Sequence, residues 1–161
     1  MARVPSDLDA VWTACATQLD LPVARGGDAF VHFDGRTLWI ADDEDLDDDD
    51  TLAQLIFHEM CHWAVQGPAK RHARDWGLAS TSDRDLVRER AAVRLQAHLA
   101  GFHGLRSMLF PTTQVRAFYE TLGADALGGG SDLSSGLARI GAARVGREPF
   151  APAMADALAA T

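Results

Sequence analysis

The chain has 161 residues, 47% of them hydrophobic and 24% charged, with a formal net charge of −8. That length suits one hydrophobic core, the composition excludes a largely disordered chain, and no apolar run approaches the roughly 18 residues that a membrane-spanning helix needs. Eight of the 23 acidic residues crowd into positions 42–50, and the other 15 balance the 15 lysines and arginines. No basic stripe is left for a phosphate backbone, so nucleic acid is excluded as the expected partner. The opening residues have no apolar core of the signal type, which makes the cytoplasm the expected location. Two cysteines, Cys15 and Cys61, are too few for a disulfide scaffold and are expected to be reduced and buried.

In chain order, Ser6 with Asp9 three residues on forms a capping pattern. Leu8, Val11, Trp12, Cys15 and Leu19 follow at helical spacing until Pro22 and Gly26-Gly27, so the first helix ends near Leu21. Asp34-Gly35 divides two β-rich runs within Ala29–Ala41 and predicts a hairpin, with His32 facing solvent. The acidic run 42–50 reads as a solvated loop, with weak Ca²⁺ binding or a basic partner as alternatives. Its last carboxylates are placed to cap a helix over Thr51–Gln66. That helix is apolar nearly all round, as a buried central helix is, and Gly67-Pro68 ends it. Residues 69–80 read as a charged loop. Thr81 or Ser82 caps a long helix running to about Gly101, and Thr112–Leu122 forms another. From Gly123 the composition turns to Gly, Ala and Ser, with short helices over Ser131–Val145 and Pro152–Ala160. The expected fold is α+β: a small hairpin sheet packed on a mainly helical domain, residues 1–122, with an extension, 123–161, that is either a cover or an arm for a partner. Trp12, Trp39, Trp63 and Trp76 are expected in the core.

One stretch carries chemistry. His58-Glu59-Met60-Cys61-His62 places two histidines at i and i+4 inside a helix, hence on one face about one turn apart. Two nitrogen donors so placed hold adjacent corners of a zinc tetrahedron, and Glu59, turned about 100° away, reaches beside the metal as a base. A catalytic zinc wants a third protein ligand. Only Glu89, Glu120 and Glu148 follow the motif as glutamates. On the helical wheel, Leu86, Ala92, Val93, Ala97, Leu99 and Ala100 all fall within about 80° of Glu89, whereas Arg84, Arg90, Arg94 and His98 lie about 100° or more away. Glu89 therefore sits on the apolar face, where a carboxylate needs a strong partner. Asp85, on the same face, is the candidate for orienting a ligating histidine. His72 is the alternative third ligand.

His58-Glu59-x-x-His62 with Glu89-Arg-Ala-Ala92 one helix later resembles a minimal gluzincin-type zincin metallopeptidase, over roughly residues 28–100. The resemblance implies a Zn²⁺ cofactor held by His58, His62 and Glu89, a peptide or protein substrate, and Glu59 as general base. It also implies a small sheet whose edge strand pairs with the substrate backbone, and an oxyanion donor for which Tyr119 and His103 are candidates. A weaker resemblance to SprT-like proteases, whose third ligand is a histidine, rests on His72 followed by Trp76. The competing expectation is a non-catalytic zincin-like domain that binds metal and acts through a protein partner at the acidic loop 42–50 or the C-terminal tail. A third is a domain without metal whose histidines only pack.

Overall fold

The computed structural model describes residues 7–27, 29–79, 83–129 and 132–161. Six α-helices and one three-stranded sheet are found among them, so the fold is α+β as expected. The helices are α1 (Asp7–Gln18), α2 (Leu52–Gln66), α3 (Asp83–Phe102), α4 (Thr113–Thr121), α5 (Leu133–Val145) and α6 (Ala153–Ala160); the strands are β1 (Val23–Arg25), β2 (Val31–Phe33) and β3 (Leu38–Ile40). None of these helices is long and apolar enough to cross a membrane. The expected caps at Ser6 and at Thr81 or Ser82 lie outside the described residues.

Helix α1 stops at Gln18, short of Leu21, because Asp20 turns left-handed at φ 51°. Asp20 N then donates to Thr17 O and Leu21 N to Ala16 O, the paired bonds of a Schellman ending with aspartate in the usual glycine position. The N-cap of α2 is Thr51, not one of the acids before it. Thr51 and Gln54 exchange side-chain and backbone bonds in a capping box, and Asp9 reaches across from α1 to accept from Ala53 N at 2.9 Å. At the other end, Arg144 of α5 donates to the Ala64 and Val65 carbonyls, satisfying acceptors left over at the helix C-terminus.

Twelve of the fifteen residues of α2 are buried, as its all-round apolarity predicts. Trp12 packs on Phe57 with the rings tilted by 41°, and Phe150 meets Trp63 edge-on. Each large side chain so buried contributes about 1.5–3 kcal/mol. The C-terminal segment packs into this core rather than projecting as an arm: Ala138, Val145, Phe150, Met154 and Leu158 belong to the same cluster as Ile56, Phe57 and Met60. Close approach of α5 depends on Gly141, where a Cβ would lie 3.0 Å from Leu95 Cδ2 and 3.1 Å from Val65 Cγ2.

The sheet order is β1-β3-β2, antiparallel between β2 and β3 and parallel between β1 and β3. The hairpin expected over 29–41 is present but its strands are only three residues each; the parallel partner β1 was not foreseen. Gly35 takes φ 95° at the first loop position, and a Cβ there would sit 2.6 Å from His72 O, so both conformation and space demand glycine. Phe33, Leu38 and Ile40 are fully buried beneath the sheet. His32 and Trp39, paired across the strands, stack with parallel rings along its other side.

The charged stretch after α2, described as far as residue 79, is not plain loop. Residues 68–79 contain two 3-10 turns, Pro68–Lys70 and Arg74–Gly77. In the second, Asp75 and Trp76 both adopt left-handed backbone, φ/ψ 45°/37° and 57°/25°. Such conformations in non-glycine residues cost on the order of 1–3 kcal/mol each and persist only when the surroundings impose them. Here they do. Trp76 is fully buried, stacked on Phe33 at 3.9 Å and on Trp63 at 5.5 Å, and its carbonyl accepts from Gln66 Nε2 at 2.9 Å.

Candidate metal centre

The face-sharing of His58 and His62 follows from their i, i+4 spacing on α2, and the packing of α3 against α2 brings Glu89 to them. His58 Nε2 lies 3.1 Å from Glu89 Oε1, His62 Nε2 lies 2.9 Å from Glu89 Oε2, and the two Nε2 atoms are 3.1 Å apart. The two imidazole planes stand nearly perpendicular. Both histidines are buried, and Glu89 is half-buried at the wall of a cleft of about 930 Å³.

The proton positions around His58 are fixed by a residue the wheel arithmetic passed over. Gln96 Nε2 donates to Leu109 O at 3.1 Å, and a carbonyl accepts only. Gln96 Oε1 must therefore face His58 Nδ1, 2.7 Å away, and Nδ1 must carry the hydrogen. Neutral His58 then points a bare Nε2 lone pair at a carboxylate oxygen and at a second imidazole. Three ligand-type side chains converge on one point, where a bound metal ion, or a hydrogen on His62 Nε2, would keep the lone pairs apart. Burial alone would depress His58, but the hydrogen bond and charge of Glu89, with the charge of Glu59, outweigh it and raise its pKa to about 9. Glu89 responds in the opposite sense. Burial would raise it, yet the charge of His62 and the bonds from both histidines hold it well below the ordinary carboxylate range. His62 Nδ1 is buried with no hydrogen-bond partner among the described residues.

The donor spacings fit a metal ion. A tetrahedral ion with bonds of 2.0–2.1 Å separates its ligand atoms by about 3.3 Å, against 2.9–3.1 Å here. Two imidazoles and a carboxylate suit zinc. Neither cysteine belongs to the donor group; both are free and buried, and burial pushes Cys15 up to about 12 and Cys61 well above its ordinary value.

Glu59 lies on the cleft wall, and its Oε2 accepts from Trp76 Nε1 at 3.0 Å. His32, Trp39, Val31 and Leu86 line the same cleft. His32 thus faces the candidate site, contrary to the expectation of a solvent-facing strand residue, and Trp39 is a cleft residue where the core was expected. Leu86, expected on the inward face of α3, is 48% exposed at the cleft rim. The edge of β2 opens here too. Ala41 N donates to Phe30 O and Asp34 N to Thr37 O, so alternation turns the backbone groups of Val31 and Phe33 away from β3. Phe33 N is already taken by Asp75 Oδ1 at 2.9 Å.

Several expected participants are elsewhere. The Asp85 carboxylate accepts from Ala79 N at 2.7 Å and holds the end of the 74–79 turn rather than a ligating histidine, because it sits a full turn nearer that loop than Glu89 does. Tyr119 donates its hydroxyl to Arg106 O inside a second apolar cluster between α3 and α4, beside a separate cavity of about 400 Å³. His103 sits past the far end of α3 against Phe102. His72 is exposed, with Nδ1 3.3 Å from Gly35 O, and takes no part in the His58–His62–Glu89 group. No protein-family model, curated protein or solved structure matches the chain.

Proposed function

We propose that the protein is a zinc-dependent peptidase with His58, His62 and Glu89 as metal ligands and Glu59 as general base. The observation that carries this reading is the convergence of His58 Nε2, His62 Nε2 and a Glu89 oxygen pair within 3.1 Å, with the Gln96 amide keeping the His58 proton on the far nitrogen. A ligating histidine needs that arrangement.

A bound zinc would supply Lewis acidity, acidifying water and polarising a carbonyl at the point where the three donors meet. The chain's own groups do the rest. Glu59 projects from the residue next to His58, so its carboxylate stands beside the donors without joining them. One oxygen is held by Trp76 and the other is left to take a proton and pass it to a leaving amine. The outward backbone groups of Val31 offer an extended peptide a place to pair along β2, and the cleft runs from that edge to Glu59. Soluble peptides or unfolded protein segments in the cytoplasm are the substrates this reading expects.

The test is peptide hydrolysis by the zinc-loaded chain and by Glu59→Gln. The variant keeps its zinc and loses about 10²–10⁴-fold in kcat. A zinc-loaded wild type that cleaves no peptide would instead support the non-catalytic reading, in which the metal domain acts through a protein partner.

A further inference from the structure

We propose that Trp76 is the positioning residue for Glu59: its indole N–H holds one carboxylate oxygen so that the other faces the point where His58, His62 and Glu89 converge. The proposal deepens the peptidase reading and rests on it.

Three observations point the same way. The first is the backbone. Asp75 and Trp76 are consecutive left-handed residues, and for a side chain as bulky as Trp76 that is a true outlier. An outlier of this kind beside a candidate site is a reason to ask what it holds in place. The second is the rigidity of the donor. The indole is clamped between the rings of Phe33 and Trp63, and the Trp76 carbonyl is bound by Gln66, whose own Oε1 accepts from Arg88 of α3. The third is the acceptor. Glu59 is a long side chain on an open cleft wall, free to sample several rotamers without a partner. An indole N–H only donates and an ionised carboxylate only accepts, so the bond has one direction, and it is charge-assisted. At 3.0 Å it ties Oε2 to a fixed point.

The left-handed turn is what delivers the donor. The same turn sends the Asp75 carboxylate to Phe33 N, which anchors it to β2. Trp76 is therefore tied to the sheet, to α2 and to α3 at once, and it carries that fixed frame to the base.

Trp76→Phe keeps the stack and deletes the bond. In the zinc-loaded full chain, kcat for peptide hydrolysis falls about 10–100-fold, as expected when a reacting group is displaced by around 1 Å, while KM and zinc affinity stay within about twofold of wild type. Unchanged kcat, or a loss of zinc affinity in step with kcat, overturns the proposal. A second measurement needs neither catalysis nor a stable Trp76 variant. In ¹H–¹⁵N spectra, Glu59→Ala shifts the Trp76 indole proton upfield and leaves those of Trp12 and Trp63 in place; an unmoved Trp76 signal overturns the proposal. The two failures are distinct. A zinc-loaded wild type that hydrolyses nothing sinks the peptidase reading and this role with it, whereas an active enzyme whose kcat survives Trp76→Phe sinks this role alone.

Discussion

Two groups of three potential ligands gather among the described residues, each with its donor atoms within 4.8 Å: His58, His62 and Glu89, and Asp47, Asp49 and Asp50. They differ in how the crowding arises and how it is relieved. The three aspartates come from one acidic run and are close because they are neighbours in sequence. Arg116 takes one Asp49 oxygen at 2.7 Å, and burial together with Asp47 and Asp49 holds Asp50 above the usual carboxylate range. That crowding is met in part by the Arg116 guanidinium. The histidine group is assembled from two helices, with Glu89 27 residues after His62. It is backed by an amide that dictates a tautomer, and no arginine or lysine pairs with Glu89 among the described residues. Bringing polar groups together across a buried interface works against folding unless something binds them. Proximity alone says little; proximity from distant segments with a dedicated outer partner points to a ligand.

The comparison can be broken at several points. Glu89→Ala should lower zinc affinity by more than the roughly 100-fold upper range seen for outer-shell partners, measured by competition with a chromophoric chelator; an unchanged affinity would remove Glu89 from the site. Gln96→Leu should weaken zinc by about 10–100-fold, because His58 loses the acceptor that keeps its proton on Nδ1. Asp49→Asn should leave zinc affinity and hydrolysis untouched and reduce stability to urea by less than about 1 kcal/mol, as befits an exposed ion pair with Arg116. A change in zinc stoichiometry there would give the acidic group a metal role.

The smallest effect belongs to another exposed acid, Asp34. Its carboxylate accepts from the Thr37 amide, the Trp39 indole and the Arg36 amide, and these bonds lower its pKa to about 2. A depressed carboxylate pKa stabilises the fold above its ordinary value of 3.8, and that contribution is lost as pH falls through about 2. The Trp39 indole and Thr37 amide signals should therefore shift together between pH 4 and pH 2, a window set by those two values, with the core helices unaffected at its upper end. Independent movement of the two signals would separate the hairpin turn from Asp34.

Much of this was legible in the residues. Helical spacing, all-round apolarity and capping residues placed α1, α2 and α3, the shorter helices α4, α5 and α6 were placed with less pattern to go on, and Asp34-Gly35 located the hairpin because a positive φ is needed there. The wheel brought Glu89 to the two histidines because one helix packing on another leaves few places for a carboxylate. Other features resisted for physical reasons. The parallel pairing of β1 with β3 is a contact between three-residue strands that have no pattern of their own. Gln96 lies seven residues after Glu89, on the same face of α3, and could have been found by asking which polar residues share the apolar stripe. The Thr51–Gln54 box was hidden by the acids before it. Nothing in Asp75-Trp76-Gly77 announces two left-handed residues, since the rings of Phe33 and Trp63 that impose them come from distant segments. Tyr119 and His103 were drawn to the site by residue type alone, and the packing of α3 carries both away from it.

The central claim is that one divalent ion binds between α2 and α3. X-ray absorption at the zinc edge of the zinc-loaded chain tests it most directly. The account predicts one zinc per chain, two imidazole nitrogens and a carboxylate oxygen at about 2.0–2.2 Å, with the oxygen contribution from protein lost in Glu89→Ala. A spectrum with sulfur ligands, or zinc bound equally well after both His58 and His62 are replaced by alanine, would contradict it.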